Sequence, residues 1–126
     1  MEKPQFTVAE RLREALNIRG KTQADLVRET GIDKGSISHY LSGRYEPKQK
    51  AIYKLAQALS VNESWLLGYN VPMERTPVQK RNDELVVLVQ KMRNDPEFFE
   101  VVSKLAKLPA DKIASIKPIL EVLGSH

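Results

Sequence analysis

The sequence predicts an all-α chain, and three observations carry that expectation. Apolar residues recur at helical spacing in eight separate stretches, each opened by a capping residue or a proline. Glycines at positions 20, 31 and 43 fall where such stretches stop. No segment alternates apolar and polar residues with the two-residue period of a strand.

The first helix opens at Thr7 with Glu10 three residues on, a capping box, and carries Val8, Leu12, Ala15 and Leu16 on one face until Gly20. Thr22 caps a second helix, Gln23 to Thr30, whose expected inward face is Ala24 and Val27 with Leu26 at its edge. Gly31 supplies the left-handed turn to a third helix capped by Asp33, inward at Ile37 and Leu41 and ended by Ser42-Gly43. Arg44, Tyr45 and Glu46 form a loop, and Pro47 is expected in the first turn of a fourth helix striped by Ala51, Ile52, Leu55, Ala56 and Leu59. Asn62 caps a short fifth helix that supplies Trp65 and Leu66. Residues 70–82 hold prolines and charges with little periodicity and read as a linker. Three further helical stretches follow, Asp83 to Arg93, Pro96 to Lys107 and Pro109 to Leu123, and Pro118 should kink or shorten the last.

Composition narrows the function classes. The 126 residues include no cysteine, so disulfides and thiolate metal sites are excluded. The longest uninterrupted apolar run, Leu85 to Val89, is far too short for a membrane span, and the N-terminus lacks a secretion signal's apolar core. A cytoplasmic location is expected. Only two histidines occur, and no Gly-rich phosphate loop, HExxH or Cys/His cluster appears, so neither an enzyme nor a cofactor is expected. Residues 1–81 hold 14 Lys/Arg against 9 Asp/Glu, whereas residues 82–126 hold 6 against 7. A positive excess confined to one part suggests a polyanionic partner there.

The third helix is where that partner is expected. Two short helices joined at a glycine, within five, form a helix-turn-helix device whose second helix enters the DNA major groove. The small residues Gly35, Ser36 and Ser38 permit close approach, and Lys34 and His39 can donate to base acceptors. Gln23, Arg44, Tyr45, Lys48 and Lys50 sit where phosphates would run.

Residues 6–69 resemble the DNA-binding domain of lambda-type phage repressors and Cro proteins, the Xre family of regulators. The resemblance rests on T-Q-A-D-L at Thr22 to Leu26, Gly31, S-I-S-H-Y-L-S-G-R at Ser36 to Arg44, Pro47, and the run Lys54 to Gly68. The string W-L-L-G-Y-N-V-P-M, Trp65 to Met73, is similar to repressors of Gram-positive temperate phages and integrative elements. The resemblance implies that Thr22 caps the first helix of the motif and Gln23 meets backbone phosphate. It implies that Lys34, Gly35, Ser38 and His39 meet base edges, that Ser36 lies between base and phosphate, and that Arg44 and Tyr45 touch the backbone. Gly35 departs from the polar residue common at its position, which removes one expected hydrogen bond.

Such regulators read two half-sites as dimers, centred about 34 Å apart along the duplex. The segment 83–123 offers the apolar surface for that association, with Leu85, Leu88, Met92, Phe98, Phe99, Val102, Leu105, Ile116 and Leu120 as the expected contacts. The expected organisation is therefore a DNA-binding domain over 1–69, a linker over 70–82 and an oligomerisation segment over 83–123. Expected partners are operator DNA and a second copy of the chain; higher assembly, and an antirepressor or protease as inducer, stay open, since no self-cleaving peptidase domain is recognisable. An antitoxin or immunity-type regulator, whose C-terminal segment binds a protein partner, is the alternative. Gly124-Ser125-His126 resembles the start of a cloning tag, which leaves a longer natural chain open.

Overall fold

The computed structural model describes residues 3–125, so His126 of the suspected tag remnant lies outside the described residues. Eight helices follow in order: α1 Val8–Arg19, α2 Gln23–Thr30, α3 Lys34–Ser42, α4 Gln49–Leu59, α5 Glu63–Leu66, α6 Pro77–Asn94, α7 Pro96–Ala106 and α8 Ala110–Gly124. The only β-type pairing among the described residues is an isolated bridge, Val61 to Glu74. The chain divides into two compact units between Asp83 and Glu84.

In the first unit, helices α1 to α5 enclose one core built on Leu12, Ala15, Leu26, Ile37, Leu55, Ala56, Leu59, Val61 and Leu66, with Trp65 at its edge. The leucine, isoleucine and valine side chains among them each contribute roughly 1.5–3 kcal/mol on burial, which is what holds five short helices together. The inward face of α2 is rotated from expectation: Leu26 is fully buried, Val27 half-buried and Ala24 exposed. A buried leucine removes far more apolar area from water than alanine, so the larger side chain sets the face. Pro47 is buried ahead of α4 and does not enter its first turn, because Lys48 is the extended N-cap residue. Its ring closes the entry to the helix as a hydrophobic residue at that place does. At the far end of α4, Arg19 donates to the carbonyls of Leu59 and Ser60 at 2.9 and 3.0 Å, and Lys21 to that of Ala58 at 2.7 Å. Cations there satisfy orphan carbonyls and favour the negative end of the helix dipole.

The N-terminal segment is tied to the body by a buried arginine. Arg11, 6% exposed, lies between the rings of Phe6 and Trp65, 4.2 and 4.4 Å from their centroids. Gly68, at φ +101°, accepts from the backbone N–H groups of Gln5 and Phe6 through its carbonyl. A Cβ there would stand 2.0 Å from the Phe6 carbonyl oxygen, so only glycine permits this approach.

Residues 70–82, expected as a linker, are structured in part. Val71 and Met73 pack on the core, Asn62 N–H donates to the Met73 carbonyl at 2.7 Å, and α6 already begins at Pro77. Thr76 and Gln79 form reciprocal bonds of 2.9 and 3.1 Å that start that helix. Arg75 is buried: it donates twice to Asp83, at 2.8 and 2.9 Å, and once to the Val61 carbonyl at 2.9 Å. Asp83 also accepts from the Tyr53 hydroxyl at 3.3 Å, and burial, then the Asp83 charge, raise the Tyr53 hydroxyl above its ordinary pKa.

The second unit contains the rest of α6 with α7 and α8. Asp95 caps α7 by accepting from Phe98 N–H, Pro96 occupies its first turn, and α8 runs past Pro118 without ending. The proline is tolerated at the cost of one backbone bond. No described residue from Glu84 onward is buried.

Replacing Arg75 by Ala removes the cation and leaves Asp83 without its two charge-assisted bonds. The expected loss is about 3 kcal/mol in urea unfolding, the usual cost of breaking a buried pair from one side. An unchanged denaturation midpoint would show that the clasp contributes nothing.

Candidate nucleic-acid interface

Local chemistry places α3 before any partner is considered. Thr30, buried at the end of α2, donates its hydroxyl to the Leu26 carbonyl at 2.6 Å and accepts from Ile32 N–H at 3.1 Å. Gly31 adopts φ +73°, and Asp33 then caps α3. Ile37 is the one fully buried side chain of α3; Tyr40 and Leu41 are half-buried against the core. Gly43, at φ +80°, closes the helix, and Arg13 of α1 donates to the Leu41 carbonyl at 2.6 Å. The remaining face of α3 has no apolar covering to satisfy.

Lys34 is exposed at the first position of α3. It lines a shallow depression of about 300 Å³ together with Gln23, Ala24 and Val27, which explains the exposed Ala24. Ser38 is exposed and accepts from Gln23 Nε2 at 2.6 Å, so α2 and α3 present these groups together. His39 is half-buried, its ring edge-on to Tyr45 at 4.9 Å and 72°. Arg44 lies over the other participant of that pair, 5.7 Å from the Tyr45 centroid. A cleft of about 590 Å³ brings Ser36 and Tyr45 together with Lys48 and Lys50.

Two expected contacts are already occupied. The Thr22 hydroxyl accepts from Asp25 N–H at 3.2 Å in a capping box, and the Ser36 hydroxyl donates to Asp33 at 2.8 Å. A Cβ at Gly35 would lie 3.2 Å from Asp33 Oδ2, crowding the carboxylate that caps α3. Lys54 was missed in the sequence, although it follows Lys50 by one helical turn and lines the same cleft.

The electrostatics of the helix ends point the same way. Helices α1, α2 and α5 carry an acid in the first turn, whereas α3 and α4 carry none. Instead Lys34 opens α3, and Lys48 and Lys50 open α4. At α3 the Asp33 cap already offsets the positive helix end, but α4 has no side-chain cap, and cations beside such an end are intrinsically unfavourable until a bound polyanion reverses the sign. No group of three or more potential metal-ligating His, Cys, Asp or Glu side chains occurs among the described residues. No described helix is long and apolar enough to cross a membrane.

The second unit carries the residues expected in self-association. Leu85, Leu88, Phe99 and Leu120 are exposed, between 46% and 56%, and Met92, Phe98, Val102, Leu105 and Ile116 are half-buried. Lys91 caps one of these rings, its Nζ 4.7 Å from the Phe98 centroid.

Comparison with known proteins places this geometry. A family model described as a helix-turn-helix domain matches residues 9–70, just under half of the chain. An HTH-type transcriptional regulator for conjugative element R391 from Providencia rettgeri is 42% identical over 60 residues. That match covers 48% of this chain and 27% of the relative, so this chain matches only about a quarter of the relative's length. The HTH-type transcriptional regulator ImmR of Bacillus subtilis is 24% identical over 110 residues, covering 81% of this chain and 87% of ImmR. A crystal structure of a transcriptional regulator from Listeria innocua aligns over 93% of this chain and 92% of its own at 17% identity, with a TM-score of 0.46, too loose a likeness to bear on function.

The caps make the interface acid-sensitive. Backbone and side-chain bonds from Thr22, with Arg28 beside it, hold the Asp25 carboxyl down at about 2, and the Ser36 bonds lower that of Asp33. Both groups therefore stabilise the fold fully above the ordinary carboxylate pKa, about 4, and that contribution is lost as pH falls, for Asp25 through its depressed value. Thermal melts of Asp25→Asn against the parent should diverge near neutrality and converge toward pH 2. A constant gap across that window would show that the Asp25 charge is not what the fold uses.

Proposed function

We propose, on the premise that residues 9–70 are a helix-turn-helix domain of the lambda-repressor and Xre kind, that this chain is a sequence-specific DNA-binding transcriptional repressor of phage or mobile-element type. It reads a palindromic operator as a homodimer, with α3 in the major groove. The observation that carries this reading is α3 itself, anchored by Ile37 and flanked by exposed cations at two helix starts. In this reading Lys34, Ser38 and His39 meet base edges and Gly35 permits the approach. Ser36 acts by holding the start of α3, because both its backbone N–H and its hydroxyl are donated to Asp33. Gln23, Arg44, Tyr45, Lys48 and Lys50 meet phosphates, and Thr22 acts by holding the start of α2.

The homodimer follows from area and composition. A small helical unit with no buried residue among those described leaves apolar surface that association would cover, including Leu85, Leu88, Phe99 and Leu120. Printed descriptions of the relatives as transcriptional regulators, for conjugative element R391 and as ImmR, support regulation as the role. Induction by an antirepressor or protease remains part of the same proposal.

Three outcomes test it. Selection from a randomised duplex pool should enrich a palindrome, while no enrichment with a heterologous protein co-purifying would move the reading to an antitoxin or immunity-type partner role. Lys34→Ala should lose roughly 1–3 kcal/mol at that site and relax one base position, whereas Arg44→Ala should weaken all sequences alike and lower the salt slope by about one unit. Substituting Phe99 and Leu120 together by Glu should give a folded monomer in sedimentation with weakened operator binding; a persistent dimer would remove these residues from the interface.

A further inference from the structure

The hydroxyl of Ser38 is held from one side. Gln23 Nε2 stands 2.6 Å from Ser38 Oγ and 3.5 Å from the Lys34 carbonyl oxygen. A carbonyl oxygen can only accept, so the end of the amide turned toward it must be the NH2 group; the reversed amide would set two acceptors against each other. Ser38 Oγ is therefore an acceptor toward Gln23, and its own proton has no acceptor among the described residues. Ser36, Ser42 and Ser115 behave differently. Ser42 and Ser115 return their hydroxyl protons to the His39 and Lys112 carbonyls at 3.1 and 2.7 Å, and Ser36 gives its proton to Asp33 at 2.8 Å. Ser38, exposed on the outer face of α3, is left with a proton to donate outward.

We propose that Gln23 is a positioning residue that polarises Ser38, so that the Ser38 hydroxyl reads one base per half-site as a donor and selects an acceptor there. The inference rests on α3 lying in the major groove, as proposed above. Guanine N7 and O6, adenine N7 and thymine O4 offer acceptors at that edge, while cytosine offers its N4 amino group, a donor. A free serine hydroxyl can rotate to donate or accept and discriminates weakly. Gln23 removes that freedom, so a side chain assigned to phosphate also sets base choice from a distance. Lys34 is a donor in any orientation and needs no such partner.

Binding of the full chain to the duplex it enriches from a random pool tests this, with each base pair exchanged in turn and with purines lacking N7. For the parent, one position per half-site should lose about tenfold when its acceptor is removed, the size of one hydrogen bond. Ser38→Ala should level that position alone. Gln23→Ala should weaken every duplex and also level that position, because the released hydroxyl can turn either way. Gln23→Glu separates positioning from a plain phosphate contact: a carboxylate can only accept, so it takes the Ser38 proton and leaves lone pairs facing the groove. Preference at that position should then move to a donor such as cytosine N4. Gln23 variants that weaken all duplexes equally with the Ser38-dependent preference intact would overturn the inference while leaving the operator reading standing. A parent chain that enriches no duplex would overturn both.

Discussion

A single fully buried side chain on α3, Ile37, is the constraint on which the candidate interface depends. Nine residues cannot hold a helix in water by themselves, so α3 exists because its ends are satisfied and one edge is buried. Asp33 supplies the start, Gly43 the stop, and Thr30 stitches the preceding turn to Leu26. Widening the apolar edge would strengthen the attachment and remove the polar face. The attachment is therefore narrow and the caps carry a large share of the burden.

Charge is distributed by the same logic. Cations that serve the fold are engaged: Arg13 on α3, Arg19 and Lys21 on the end of α4, Arg11 between two rings, Arg75 on Asp83. Lys34, Lys48 and Lys50 are exposed at helix starts where the backbone is itself positive. Arginine holds most of the structural positions, as its planar fork suits paired carbonyls and carboxylates. Lysine holds the exposed ones, where a mobile point charge suffices.

Much of this was legible in the residues. Capping boxes at Thr7 and Thr22, the caps at Asp33, Asn62 and Asp95, and the glycine stops are local signals, and α1, α2, α3, α5 and α7 form where they indicate. Faces were harder, because a three-residue stripe such as Ala24, Leu26 and Val27 leaves the rotation of α2 to the tertiary core. The start of α6 carried a readable signal, Thr76 with Gln79 around Pro77, which proline and charge content obscured. Arg75 could not be read, since its partners at Val61 and Asp83 are brought together only by folding. At the site, types and order were legible but occupancy was not. Thr22 and Ser36 are engaged by Asp25 and Asp33, and Gly35 clears space for a carboxylate.

The Arg75–Asp83 clasp also bears on how such chains are shuffled. Asp83 is the last residue of the first unit, although it belongs to α6, which continues to Asn94. A recombination joint between Arg75 and Asp83 that brought in a helix without the matching carboxylate would strand a guanidinium in a dry site. A joint beyond Asp83, inside the helix, keeps both partners of the clasp together. The first turns of α6 thus travel with the first unit as a fixed heirloom wherever the second unit is exchanged.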